Sequence, residues 1–299
     1  MKTHFRRLLR AAVAVTLVAI AVVAVRYWQE RQLRESLYAA LRPVHVTNCD
    51  MQRYGSANDG GYVLCANLLK TAGAEVTAYS YGIAGVDDWG CHVAGELGVA
   101  VHQYDCFQTT VTSCTNGASH MFHAECIGPA RESIEGRPFD TLGNQISKNG
   151  DGGKRIILKM DVEGSEWESL RTASDATLQA IDQIAIEFHG IEDPAYVAAA
   201  ERLAQFFYVA NIHANNHVCL PGFDPYPGTV FEALLVNKRI AAVDPGVTPR
   251  IPSAADAPNN PLRPDCQPVT GRSEPERIAQ WLRRVAGVIG ARVFGTPFS

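Results

Sequence analysis

The chain has 299 residues, 46% of them hydrophobic and 19% charged, enough for one large domain with a full core or two small ones. A net charge of −4 supplies no basic footprint, which argues against nucleic acid and for a small-molecule or neutral partner. Eight cysteines (Cys49, Cys65, Cys91, Cys106, Cys114, Cys126, Cys219 and Cys266) contain no CxxC pair, which argues against a zinc ribbon. Two readings of them stay open: disulfides in an oxidising compartment, or buried free thiols in a cytosolic core.

Residues 1–10 form a basic flank with Lys2, Arg6, Arg7 and Arg10, and Ala11 to Val25 is apolar apart from Thr16. A spanning helix wants about 20 apolar residues. Leu8, Leu9, Tyr27 and Trp28 extend the run, with the arginines snorkelling outward. A single-pass membrane anchor over 11–28 is therefore expected, followed by a helical stalk over 29–43. A cleaved signal peptide with Val22-Val23-Ala24 as its site is the rival, but no polar stretch separates that site from the apolar run. Four basic residues precede the span and four follow it (Arg26, Arg31, Arg34, Arg42), so charge does not decide which side the domain faces.

Val44 to Leu69 reads as loop-rich, with Asn58-Asp59-Gly60-Gly61 as its turn. From Val76 strand and helix patterns alternate. Strands are expected at Val76–Tyr81, Val99–Asp105, His120–Ile127, Arg155–Asp161, Ile181–Phe188, Phe207–His213 and Val230–Val236. Helices are expected near Asp88–Leu97, Phe139–Ser147, Ser165–Ala173 and Ala195–Phe206. That alternation predicts an α/β, Rossmann-like domain over 44–240 with a mostly parallel seven-stranded sheet. Only a short proline-bearing stretch joins the last two strands, which predicts an antiparallel edge. Residues 241–273 read as a proline-rich linker or surface coil. From 274 an amphipathic helix is expected, with Ile278, Trp281, Leu282, Val285 and Val288 on one side, packed on the domain or lying on the membrane.

Three strands deliver acidic residues to one edge. Ile156 to Met160 runs into Asp161-Val162-Glu163-Gly164, Val99 to Tyr104 ends at Asp105, and Ile181 to Ile186 ends at Glu187-Phe188-His189. In open α/β sheets ligands bind at that carboxyl edge. The first strand leads into the turn Tyr81-Gly82-Ile83-Ala84-Gly85, and Asp105 follows about twenty residues later, the spacing of nucleoside-binding units. An acidic residue there can accept both hydroxyls of a ribose.

Leu158-Lys159-Met160-Asp161-Val162-Glu163-Gly164-Ser165-Glu166 resembles the signature of FkbM-type S-adenosylmethionine-dependent methyltransferases. Phe139-Asp140-Thr141-Leu142, Glu187-Phe188-His189 and Ser80-Tyr81-Gly82-Ile83-Ala84-Gly85 followed by Asp105 are similar to other parts of that family. Cys49 through Asp59-Gly60-Gly61 to Cys65 looks like its anchored, methyltransferase-like branch. The resemblance spans Cys49 to Lys238 and departs from the usual Gly-x-Asn or Gly-x-Gly loop by having Tyr81-Gly82-Ile83-Ala84. It implies a class I methyltransferase fold and S-adenosylmethionine as cofactor. Tyr81, Gly82 and Gly85 would line the cofactor, Asp105 would hold the ribose, and Cys126 and Ile127 would flank the adenine. On this reading Asp105→Ala weakens cofactor binding more than folding.

The implied reaction is O-methylation of a hydroxyl on a sugar, glycan or small metabolite, with Asp161, Glu187 and His189 as the catalytic candidates. A hydroxyl is a weak acid and gains from a general base, for which His189 has the most suitable ordinary pKa. The plain alternative for His189 is a core histidine bonded to backbone. Glu163 either caps the helix that begins at Gly164 or joins the catalysis. Asp161, Glu187, His189 and His213 could also converge on a divalent metal, which is not the favoured reading. Asn211 to His217 reads as the wall of an acceptor pocket or as a solvated loop. Donor made in the cytosol would have to be imported by an exported enzyme. The rival functions are a non-catalytic binding module and a metal-dependent hydrolase built on Asp161, Glu187 and His189.

Overall fold

The fold comes from a computed structural model that describes residues 2–70, 74–111, 113–190, 193–219, 227–266 and 273–294. Its central sheet has seven strands: β1 (Val76–Tyr81), β2 (Val101–Tyr104), β3 (His120–His123), β4 (Arg155–Met160), β5 (Ile181–His189), β6 (Phe207–Ala214) and β7 (Val230–Asn237). They lie in the order β6-β7-β5-β4-β1-β2-β3. Neighbours from β5 to β3 are parallel, and β7 runs antiparallel to both β5 and β6. The reversed strand thus sits one place in from the edge, rather than at it. Ile156 to Met160 and Ile181 to Phe188 are buried throughout, because helices and loops cover both faces of the parallel part.

Among the described residues seven α-helices accompany the sheet: α1 (Lys2–Ala40), α2 (Asp88–Leu97), α3 (Leu142–Lys148), α4 (Glu166–Thr172), α5 (Asp175–Ala180), α6 (Pro194–Phe206) and α7 (Glu274–Phe294). Short polar side chains start several of them. Asp87, Thr141, Ser174 and Asp193 each accept a backbone N–H of the first turn, which supplies a partner that the helix itself lacks. On one face of the sheet Tyr79, Tyr81, Trp167, Phe188 and Leu203 pack with Leu37 and Leu41 from the end of α1 and the residue after it. On the other, Tyr54, Tyr62, Leu64, Trp89 and Val93 form a second core beneath α2 and a hairpin. That hairpin, Met51–Gly55 with Gly61–Cys65, replaces the loop-rich stretch expected there.

Helix α1 includes one stretch, Val13–Ala40, long and apolar enough to cross a membrane. Val13 to Val25 is exposed, whereas Leu37 is buried against the domain. Helix α7 meets α1 where the apolar run stops. Tyr27 donates to Glu274 at 2.9 Å, Trp281 Nε1 donates to Glu30 at 2.9 Å, and the Tyr27 and Trp281 rings lie 5.6 Å apart. All eight cysteines pair, as Cys49–Cys65, Cys91–Cys114, Cys106–Cys126 and Cys219–Cys266, which decides between the two cysteine readings.

Three boundaries differ from the sequence expectation, each for a tertiary reason. The third strand leaves the sheet after His123. Cys126–Ile127, tied to Cys106, instead pairs with Arg137–Asp140 in a separate three-stranded sheet. Phe139 and Asp140 therefore belong to a strand, and α3 begins only after Thr141 caps it. Finally, the described part of the proline-rich stretch is bound to the domain, not a linker. Asn58 donates to Pro258 O at 2.8 Å, Arg53 to Asp256 at 2.8 Å and Asn216 to Asn260 O at 2.8 Å, and Cys266 is bonded to Cys219.

Candidate functional site

From β1 the chain moves outward to β2 and β3, then returns to β4 on the other side of β1. Strand order reverses between β1 and β4, and a crevice beyond their carboxyl ends is where such sheets bind ligands. Gly82 follows β1 and Asp161 follows β4. Their backbones touch: Gly82 has φ +71°, and a Cβ on it would fall 1.6 Å from the Asp161 carbonyl oxygen. Lys159, buried beneath, donates to the carbonyls of Tyr81 at 3.2 Å and Gly82 at 2.6 Å.

The residues assigned to the cofactor fall in several places. Asp105 does sit at the end of β2, but its carboxylate is already engaged. Oδ2 accepts from Ile83 N (3.2 Å) and Ala84 N (2.9 Å), and Oδ1 from Phe107 N and Gln108 N (both 2.9 Å). A carboxylate has about four acceptor positions, so a ribose here must displace backbone donors. Removing the side chain strands four N–H groups, which makes Asp105 a folding residue as much as a binding one and corrects the expectation for Asp105→Ala. The Tyr81 ring is buried and stacks on Tyr104 at 4.7 Å, so only its backbone faces the crevice. Gly85, at φ +86°, packs under Thr110 and Gln108. Cys126 and Ile127 are buried, the former in its disulfide.

The three catalytic candidates come together. Met160 pairs with Ile186 across the β4–β5 ladder, which sets Asp161 beside Glu187, and His189 ends β5. His189 Nε2 lies 3.8 Å from Asp161 Oδ1, 3.5 Å from Glu187 Oε2 and 3.4 Å from Glu163 Oε2. Each group is held from behind. Tyr62 donates to Asp161 Oδ2 at 2.9 Å, Asn215 to Glu187 Oε1 at 2.7 Å, and His189 Nδ1 lies 3.1 Å from Glu166 Oε1. Glu166, 0% exposed, also accepts from the backbone N–H of His189 at 2.6 Å and of Gly164 at 2.9 Å. Through Gly164 it takes the place at the start of α4 that one reading gave to Glu163. Glu163 itself is 86% exposed and held at φ +54°.

Burial pushes the Glu187 carboxyl up to about 8, helped by the nearby Asp161 charge, against the hydrogen bond from Asn215. Burial works against a charged His189, but Glu166, Glu187 and Asp161 outweigh it and raise the imidazole to about 9. His189 is therefore protonated at neutral pH in the free protein, which makes it a poor base there and corrects its assignment as the best one.

Both shifts mean that the folded state binds more protons than the unfolded chain. For Glu187 that window runs from about 4.5 to about 8, and for His189 from about 6.5 to about 9, so both contributions weaken as pH rises through it. Glu187→Gln, in chelator-treated protein, is expected to flatten the acid side of this slope and to stabilise the fold by at least about 1 kcal/mol at pH 8. Urea unfolding from pH 4 to 9 checks this; a parallel downward slope in the variant would refute it.

His213 does not join this group. Register places Glu187 opposite Glu232 and Glu232 opposite His213, so the three form a row across β5, β7 and β6. His213 lies between Asp256 (3.5 Å) and Asp265 (2.9 Å), whose charges raise it to about 9 against burial. Burial raises the Glu232 carboxyl well above its usual range, and Asn259 donates to it at 2.6 Å. Asn211 and Asn216, expected in a pocket wall, bind Asp256 and the 260–264 coil.

A cleft of about 530 Å³ lies beside His189, lined by Gly190, Asp193, Pro194, Tyr196 and Thr229. A second cleft, about 550 Å³, opens at the amino ends of β1 and β2, away from this chemistry. Sequence reading gave no role to Tyr62, Glu166 or Glu232, and it placed Asn215 in a pocket wall without its bond to Glu187. Glu166 lay inside the signature, and Glu232 carried a signal as the lone charge in the buried run Val230–Asn237.

Fold and site together define an α/β protein with a mostly parallel, Rossmann-like seven-stranded sheet and an acid–base cluster at its carboxyl edge. No protein-family model matches the chain, and no curated protein matches it.

Proposed function

We propose that the chain is an S-adenosylmethionine-dependent methyltransferase, held at a membrane by α1, that O-methylates a hydroxyl of a sugar, glycan or small metabolite. One observation carries the reading. The Asp161–Glu187–His189 cluster abuts the glycine turn after β1 at the point where strand order reverses.

The turn supports a bound nucleoside in part. Its backbone is left-handed at Gly82, Ala84 and Gly85 (φ +71°, +48° and +86°), which turns the chain tightly at the strand end and aims the Ile83 and Ala84 N–H groups at Asp105, the candidate ribose residue. The ribose end fits only if Asp105 exchanges backbone donors for sugar hydroxyls. When bound, the cofactor supplies a methyl group on a sulfonium, already an able donor.

What remains for the protein is alignment and proton handling, and alignment alone contributes much of the acceleration in such reactions. Asp161 is the group of the three left to accept the acceptor's proton, oriented by Tyr62 and flanked by Lys159 at 3.6 Å. Without a bound metal, His189 and Glu187, protonated at neutral pH, present hydrogen-bond donors within the cluster.

Calorimetric titration of S-adenosylhomocysteine into the full chain in detergent tests the reading. Saturable binding of one ligand per chain supports it. A folded chain that binds none overturns it and leaves the non-catalytic module or the hydrolase.

A further inference from the structure

We infer that Asp161, Glu187 and His189 form a binding site for one divalent cation, independently of whether a methyl donor binds beside it. The offered atoms, an imidazole nitrogen and two carboxylate oxygens, all lie within 4.8 Å of one another. Ligands around one ion at bonds of about 2.0 to 2.4 Å can be no farther apart than that.

The imidazole is oriented as a ligand. Glu166 accepts at Nδ1, which leaves Nε2 facing the carboxylates. Its distances to them, 3.4, 3.5 and 3.8 Å, suit atoms sharing an ion better than a hydrogen bond, and none of the three is aligned as one.

Glu187 supplies a second observation. Its side chain is 7% exposed, its Oε1 is taken by Asn215, and its Oε2 is thereby turned toward His189 Nε2, 3.5 Å away, and toward the point that an ion would occupy. The braces behind each ligand, Tyr62 on Asp161, Asn215 on Glu187 and Glu166 on His189, are what fixes ligand geometry at metal sites.

One imidazole with two carboxylates suits a hard or borderline ion such as Mn²⁺, Mg²⁺ or Zn²⁺. Three protein ligands leave positions open, and Glu163 stands at the solvent side. An oxygen of the acceptor fits an open position, where the ion would acidify a hydroxyl. The neighbouring group of His213, Glu232 and Asp256 does not compete, because the Arg53 guanidinium already occupies Asp256 Oδ1 at 2.8 Å.

The test is titration of Mn²⁺, then Zn²⁺, into chelator-treated full-length protein, followed by calorimetry and, for Mn²⁺, electron paramagnetic resonance. One ion per chain is expected for at least one metal. His189→Gln and Glu187→Gln should weaken it 100-fold or more, and Glu166→Gln, which leaves the ligands in place, by about 10- to 100-fold. His213→Gln should leave it unchanged. Circular dichroism confirms that each variant is folded; should one ligand variant fail to fold, the others carry the comparison. A folded wild-type chain that binds neither ion, or binding that survives in both ligand variants, overturns the site. Titrating S-adenosylhomocysteine with and without metal keeps this outcome separate from that of the methyl-donor reading.

Discussion

Gly82→Ala is expected to cost about 4 kcal/mol or more and to leave little folded protein, against a total stability of about 5 to 15 kcal/mol for a domain. Two terms add. A left-handed backbone costs a residue with a Cβ about 1 to 2 kcal/mol. The new carbon would also stand 1.6 Å from the Asp161 oxygen and 2.7 Å from its carbonyl carbon, neither of which is a flexible side-chain tip. To make room, the end of β4 must move away from β1, which pulls against Lys159 on the Tyr81 and Gly82 carbonyls. Gly152→Ala is the control, since nothing lies within 4 Å of its Cβ position. Denaturant midpoints of the two variants decide the matter. A Gly82→Ala midpoint equal to that of the wild type would show that the strand ends are not in contact. That contact also sets how far the turn stands from Asp161, so on the methyltransferase reading proposed above, variants that survive should bind S-adenosylhomocysteine poorly.

Reduction of the disulfides should have a still larger effect. The bridges close separations of 16, 23, 20 and 47 residues. In the chain-entropy account each such loop is worth about 3 to 4 kcal/mol, so losing several exceeds the stability of most domains. Cys106–Cys126 joins the end of β2 to the segment leaving β3, next to Asp105. Its loss should loosen the turn that Asp105 organises. The check is alkylation of the denatured chain before and after a reductant, with mass spectrometry: no label before, eight labels after. Two or more labels before reduction would refute complete pairing. A chain whose every cysteine is paired fits the oxidising side of a membrane, and a methyltransferase placed there depends on donor delivered across it.

Much of the sheet was readable because its strands are largely apolar and alternate with helix-like stretches. Val76–Tyr81 and Asp88–Leu97 have the bounds expected of them, and β4 and β5 differ by one residue. Reading failed where partners distant in sequence decide. Nothing local says that His120–Ile127 divides, since the cause is a bond to Cys106. The coil after Asp244 has a linker's composition, and what fixes it is side chains such as Arg53 and Asn58, 203 and 200 residues before their partners. At the site, strand-end carboxylates were legible by position. Their supports were not: Tyr62 comes from the hairpin before the sheet, and Asn215 follows β6. Glu166 lay inside the signature, but its role depends on His189 reaching it from the next strand.

The hairpin that bears Tyr62 is fastened along its outer side by the last stretch of the domain. Arg53 reaches Asp256, Asn58 reaches Pro258, and Asp59 N donates to Asn259 O. A chain made from its amino end exposes Tyr62 early, while the residues that fix this hairpin come about 200 positions later. Contacts of such long range form only after the ends of a large loop meet. On a ribosome the apolar start of α1 is therefore free to engage a bilayer long before the site has its roof, and the carboxylates stand open to water until nearly all of the domain has emerged. The order of manufacture thus exposes the apolar helix first and completes the carboxylate cluster last.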